Sequence, residues 1–148
     1  MELKERVKSW GLPEYFSDKG IEYSVNESGH FCLIDKAGDR RFEMRFTSFE
    51  NDKGMFPIER DVLTLIWIQI VRPEDRNKGV ATYFLDKLVS YCKDLSITTI
   101  ELIVGDINNK PKEFSDTIPG NHLEQQELLE FYKKHIEVNG GIELKYKL

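Results

Sequence analysis

The sequence predicts a mixed α/β layered domain with a central, mostly antiparallel sheet flanked by helices. Three observations carry this expectation. Phe42, Met44 and Phe46 alternate with Arg41, Glu43 and Arg45, the period of a half-buried antiparallel strand. Leu63 to Val71 is a continuous β-branched and aromatic run, as expected of a central strand covered on both faces. Ala81, Phe84, Leu85, Leu88, Cys92 and Leu95 then recur at helical spacing, the clearest amphipathic helix in the chain.

The remaining elements follow in order. Leu3, Val7 and Trp10 predict an N-terminal helix that Gly11 and Pro13 end or turn. Ile21 to Val25 and His30 to Asp35 read as strands separated by the turn cluster Asn26 to Gly29. Lys36 to Asp39 is a second turn, and Asn51 to Asp61, with Gly54 and Pro57, is a loop. Pro73 cannot continue the strand that precedes it. Thr98 to Val104 is a further strand, and polar Gly105 to Gly120 is a long loop. Asn121 and Glu124 form a capping box for a helix whose Leu128, Phe131, Tyr132 and His135 share one face. Asn139-Gly140-Gly141 stops that helix, and Ile142 to Leu148 alternates as a last strand. Antiparallel strands therefore come first and βαβ-like units follow.

A chain of 148 residues, 40% apolar and 32% charged, fits one globular domain spanning 1–148. The net charge of -5 argues against a nucleic-acid binder, whose phosphate contacts need a basic face. It favours cationic partners, such as amines, by long-range attraction. Cys32 and Cys92 lie in no CxxC-type pair and read as reduced thiols of a cytoplasmic protein. MELKERVKSW has no apolar core of a signal peptide, and the run Leu63 to Val71 is too short to span a bilayer. No membrane association is expected. The oligomeric state is open, a homodimer being one option. His30, His122 and His135 have no metal-ligand spacing, so no metal is expected.

The chemistry concentrates in Arg76-Asn77-Lys78-Gly79-Val80-Ala81, between a buried strand and an amphipathic helix. Gly79 lets a ligand approach the backbone closely. The amides that follow are the unpaired N–H groups of a helix start, backed by the positive end of the helix dipole. That arrangement suits a pyrophosphate, with Arg76 and Lys78 adding charge at its rim. The same string also fits an ordinary strand-to-helix connection with surface charges.

With its flanks, the segment Gln69 to Ala81 closely resembles the acetyl-CoA motif of the GNAT acetyltransferase superfamily. That motif is a strand ending in Val-x-Pro, then Arg/Gln-x-x-Gly-x-Gly/Ala opening a helix. Val71, Pro73, Arg76, Gly79 and Ala81 stand at its anchor positions. The resemblance extends over about Leu63 to Val104, and loosely over Gln125 to His135. It implies a GNAT-like acyl-CoA acyltransferase fold and transfer of acetyl from acetyl-CoA to an amine-bearing substrate within a ternary complex. It also implies that the strand before the motif splays from the next one and takes the pantetheine arm like an added strand. Carried over, Gln69, Ile70 and Val71 contact pantetheine. Arg76, Asn77, Lys78, Gly79, Val80, Ala81 and Thr82 contact the pyrophosphate. A free backbone N–H near Gln69 stabilises the oxyanion. Phe131-Tyr132-Lys133-Lys134 resembles the family's Phe-Tyr-x-Lys segment, which makes Tyr132 the candidate acid for the departing thiolate. Its alternative role is that of a core aromatic.

The sequence also departs from the pattern. Leu65 occupies the position where some members carry a general-base glutamate, and no carboxylate lies between Val62 and Val71. Glu101, Asp106 or water could serve, or a low-pKa amine could need no base. Gln125 and Leu128 replace the usual Asn and Ala before the tyrosine, and Ile136-Glu137 replaces a Gly-Phe pair. The Gly105 to Gly120 loop is either a substrate-covering lid or a surface excursion. Besides the enzyme, two other classes remain: a catalytically silent acyl-CoA-binding module used for sensing or protein contact, and a plain interaction domain.

Overall fold

The computed structural model describes residues 3–26, 29–51, 60–103 and 130–147. Six strands form one sheet in sequence order: β1 (Glu22–Val25), β2 (His30–Ile34), β3 (Arg40–Thr47), β4 (Val62–Ile70), β5 (Thr99–Ile103) and β6 (Glu143–Lys147). The helices are α1 (Leu3–Lys8) and α2 (Val80–Asp94). Glu130 to Lys133 is α-helical and widens into a π-helical segment, Lys134–Val138, before β6.

Connection length sets strand direction. β1 to β4 are antiparallel neighbours, whereas β4–β5 and β5–β6 are parallel. Between β2 and β3, Asp35 Oδ1 accepts the Ala37 and Asp39 amides at 3.0 Å each, an Asx turn that reverses the chain at once. Parallel neighbours need a crossover, which α2 supplies between β4 and β5. Right-handed crossovers that step in one direction across a sheet place their helices on one face. Accordingly α2 and the π-helical segment touch each other.

The core lies between that helical layer and one face of the sheet. Phe42, Met44 and Phe46 are fully buried, as the alternation predicts. The Phe42 ring stacks on Phe84 of α2, 4.6 Å between centroids. Trp10 follows α1 and packs on Phe31, Phe46 and Tyr91, which fastens the N-terminal segment to the same layer. Gly140 ends the last helix because a Cβ there would lie 2.5 Å from Ile136 O. His122, the Asn121–Glu124 capping box, the Gly105 to Gly120 loop, Asp106, Gln125 and Leu128 all lie outside the described residues.

Two expectations change. β4 is buried unevenly: Leu63 and Leu65 are buried, while every residue from Ile66 to Ile70 is only half-buried. Among the described residues α2 and the π-helical segment sit on the core face. The polar side of β3 is also less exposed than its alternation implied. Arg41 and Glu43 are each 8% exposed, because ion pairs rather than water satisfy them.

Candidate functional site

The C-terminal half of β4 begins at an irregularity. Arg45 pairs with Trp67 and Phe46 with Leu65, so Ile66 is an extra residue on β4. Such a bulge bends its strand and increases local twist. Among the described residues the parallel ladder to β5 runs from Val62↔Thr99 to Leu65↔Leu102, while β4 continues to Ile70. The remaining residues of β4 pair with β3 alone among the described strands.

Hydrogen-bond phase decides which backbone groups of β4 point away from β3. Val71 N–H donates to Arg41 O at 3.2 Å, which fixes Arg41/Val71 as a hydrogen-bonded pair. Alternation then places Gln69 and Trp67 in the ladder with β3. Ile68 and Ile70 turn their N–H and C=O groups the other way, toward the β5 side of β4. The backbone N–H groups near Gln69 that point away from β3 are therefore those of Ile68 and Ile70, not of Gln69.

The turn after β4 is clamped from beneath. Pro73–Asp75 forms one 3-10 turn, and Asp75 at its end has no exposed surface. Arg41 donates to both Asp75 oxygens at 2.7 Å, and Tyr15 Oη donates to Oδ1 at 2.9 Å. Burial alone would raise the Asp75 carboxyl, but the Arg41 and Tyr15 hydrogen bonds and the Arg41 charge outweigh it and hold it below its ordinary range. The hydrogen bond to Asp75 likewise strengthens the charged form of Arg41. Arg41 also reaches Asp35 at 3.4 Å, and Arg72 reaches Asp39 at 3.0 Å, which extends the network to the β2–β3 turn. Asp75 was not singled out in the sequence, since its partner Arg41 looked like a solvent-facing residue of β3.

Beyond the clamp the chain turns into α2 through two left-handed residues, Asn77 (φ 59°) and Gly79 (φ 84°). Gly79 is the N-cap and offers no capping side chain. The first intrahelical bond runs from Tyr83 N–H to Gly79 O at 2.9 Å. The amides of Val80, Ala81 and Thr82 therefore open the helix uncapped. Arg76 is half-buried, forms no ion pair among the described residues, and has its pKa pushed down by burial. Asn77, Lys78 and Gly79 are exposed, with Lys78 Nζ lying 5.9 Å from the Tyr15 ring centre. A partly desolvated guanidinium without a carboxylate, beside uncapped amides, is an environment that an anion would complete.

Tyr132 sits on the last helix as part of the core cluster, 8% exposed, with its ring 5.8 Å from Phe131. Burial raises its pKa. Its hydroxyl has no hydrogen-bond partner among the described residues. A Cβ on Gly140 would lie 3.0 Å from Val89 Cγ1 of α2, so these points are level. Glu101 on β5 pairs in register with Thr64, on the face away from the core, and is half-buried.

The sheet face away from α2 holds one more convergence. His30, Cys32 and Glu43 come together, which the spacing of histidines did not reveal because Glu43 arrives from the neighbouring strand. No helix among the described residues is long and apolar enough to cross a membrane. Compared with known protein families, with curated proteins and with solved structures, the chain finds no match.

Proposed function

We propose that this chain is an acetyl-CoA-dependent N-acetyltransferase of the GNAT type, acting on a primary amine of a small molecule, peptide or protein. One coincidence supports this reading above all. The bulge at Ile66 and the uncapped start of α2 both occur toward the carboxyl end of β4, a strand that pairs in parallel with β5. The carboxyl end of parallel strands is the usual ligand position in such sheets. The outward peptide groups of Ile68 and Ile70 suit an extended amide-bearing arm added like a strand. The amides of Gly79 to Thr82, with Arg76 and Lys78, suit its pyrophosphate.

In this reading the amine nitrogen attacks the thioester carbonyl, and an outward N–H of β4 receives the oxyanion. The C–S bond breaks as the carbonyl re-forms, the departing thiolate takes the proton of Tyr132, and the proton shed by the attacking nitrogen passes through water to restore the tyrosine. The raised pKa of Tyr132 keeps that proton in place until the thiolate develops.

Two observations favour the second reading, a silent acyl-CoA-binding module: Tyr132 lies within the core, and β4 bears no carboxylate. Acetyl-CoA turnover, followed as thiol release with DTNB across an amine panel, separates the readings. Amine-dependent release supports the enzyme; none with any amine, despite cofactor binding, supports the module. Coenzyme A at about a hundred times its Kd should stabilise the fold by about 2.7 kcal/mol. Failure of millimolar coenzyme A to raise Tm would refute both and leave a plain interaction domain.

A further inference from the structure

On the face of the sheet away from α2, His30 and Cys32 stand two positions apart on β2 and so share a side of the sheet. Cys32 is the register partner of Glu43 on β3. Phe46 N–H bonds Gly29 O, so the hydrogen-bonded pairs between these strands skip Glu43. Cys32 and Glu43 therefore form a non-hydrogen-bonded pair, the kind whose facing side chains approach most closely. His30 Nε2 lies 2.6 Å from Glu43 Oε1 and 3.9 Å from Cys32 Sγ. One donor atom from each of the three lies within 4.8 Å of the others. The Glu43 side chain is 11% exposed and that of His30 31%, so the cluster is sunk into the sheet with one side toward solvent.

We propose that His30, Cys32 and Glu43 form a binding site for Zn²⁺ or a chemically similar borderline divalent cation, with a fourth position open to water. The donor set selects the class. A thiolate disfavours Mg²⁺ and Ca²⁺, whereas mixed nitrogen, sulfur and oxygen donors suit zinc. Zinc bond lengths in a tetrahedron put N and O about 3.3 Å apart and N and S about 3.6 Å apart. The sulfur is already near that distance, and the His30–Glu43 contact has to open by less than ~1 Å. Thiolate and carboxylate together balance the charge of a divalent ion. Arg40 Nη1 holds the other carboxylate oxygen, Oε2, at 3.0 Å and so orients Oε1 toward the site. Asn26 Nδ2 stands 3.5 Å from His30 Nδ1, which leaves Nε2 for the ion. Glu43 also faces Gln69 across β3 and β4, so the ion would adjoin the second half of β4. The site does not depend on acyl transfer.

The test is a Co²⁺ titration of the reduced, EDTA-stripped full chain, read by absorption. A thiolate-to-cobalt band saturating at one equivalent and displaced by Zn²⁺ is expected. Cys32→Ser should abolish the band while Cys92→Ser, at the buried second thiol, retains it. His30→Ala and Glu43→Gln should each weaken binding at least about tenfold, consistent with losing one ligand. Circular dichroism checks that each variant is folded. Should Cys32→Ser not fold, the wild-type chain gives a second measurement: one equivalent of Zn²⁺ should protect Cys32 from alkylation by iodoacetamide, mapped by mass spectrometry. Absence of the band, its survival in folded Cys32→Ser, or unprotected Cys32 overturns the proposal. Coenzyme A binding is scored separately, so this result and the acetyltransferase reading fail independently.

Discussion

Asp75→Asn tests whether the clamp beneath the turn carries the weight its geometry implies. The substitution keeps side-chain volume and removes the negative charge. It leaves the Arg41 guanidinium, 8% exposed as a residue, with one fewer carboxylate. Breaking a buried pair by removing one partner costs about 3–5 kcal/mol. Arg41 retains Asp35 at 3.4 Å, which sets the expectation at the lower end, about 3 kcal/mol. At about 2.1 cal/mol/K per residue, a chain of 148 residues unfolds with about 0.3 kcal/mol/K, so Tm should fall by about 10 °C. Urea unfolding followed by circular dichroism gives the free-energy difference directly. The pH dependence supplies a second check. The folded Asp75 carboxyl titrates below its unfolded value of about 3.9. Its stabilisation is therefore complete above that value and is lost as pH falls through the lower, folded one. The gap between wild type and variant should be full at about pH 6 and shrink steadily below about pH 4. Asp35, held low chiefly by the Asp39 backbone hydrogen bond, is common to both proteins and cancels in the difference. A loss under about 1 kcal/mol, or a gap that does not narrow on acidification, would refute the clamp.

Other substitutions probe separate parts of the molecule. Gly79→Ala meets open space at a φ of +84°, so it should cost about 1–2 kcal/mol of backbone strain, seen in urea unfolding, and weaken coenzyme A binding by calorimetry. Tyr132→Phe should change stability by less than about 1 kcal/mol, since its hydroxyl has no partner among the described residues. If that hydroxyl protonates the leaving thiolate, the same variant should lower DTNB-detected turnover by about 100-fold. Trp10→Ala removes a ring in contact with Phe31, Phe46 and Tyr91 and should cost about 3–5 kcal/mol, measured by denaturant titration.

The order of elements was legible in the sequence because short turns and long crossovers leave different marks. The Lys36–Asp39 turn between alternating segments dictates an antiparallel pair, and the Ala81–Leu95 stripe between apolar runs dictates a crossover helix. What the sequence did not disclose depends on partners. Alternation reports which β3 residues are polar, yet whether Arg41 meets water or Asp75 is set by a turn on another strand. The bulge at Ile66 was hidden because Leu63 to Val71 is apolar nearly throughout, so an inserted residue leaves no phase change to read. Without the bulge and the Arg41–Val71 bond, nothing distinguishes Gln69 from Ile68 and Ile70 as the source of outward amides. The His30-x-Cys32 pair was visible, but its third member depends on strand register.

Beyond Ile66, β4 pairs with β3 alone among the described strands, and a strand held from one side is prone to fray. Something must hold β4 beyond Ile66 in place, and Arg41 does so in two ways at once. Its carbonyl accepts from Val71 N–H, which keeps the last turn of β4 against β3. Its guanidinium grips Asp75, which fixes the first turn of the path into α2. The β3 side is thus secured by backbone and side chain together, while Ile68 and Ile70 present their peptide groups toward the β5 side. Loosening the grip on Asp75 should therefore disturb more than stability. The left-handed pair Asn77 and Gly79 begins two residues past the clamp. Asp75→Asn should thus weaken coenzyme A binding through the amides of α2, even at temperatures where the variant remains folded.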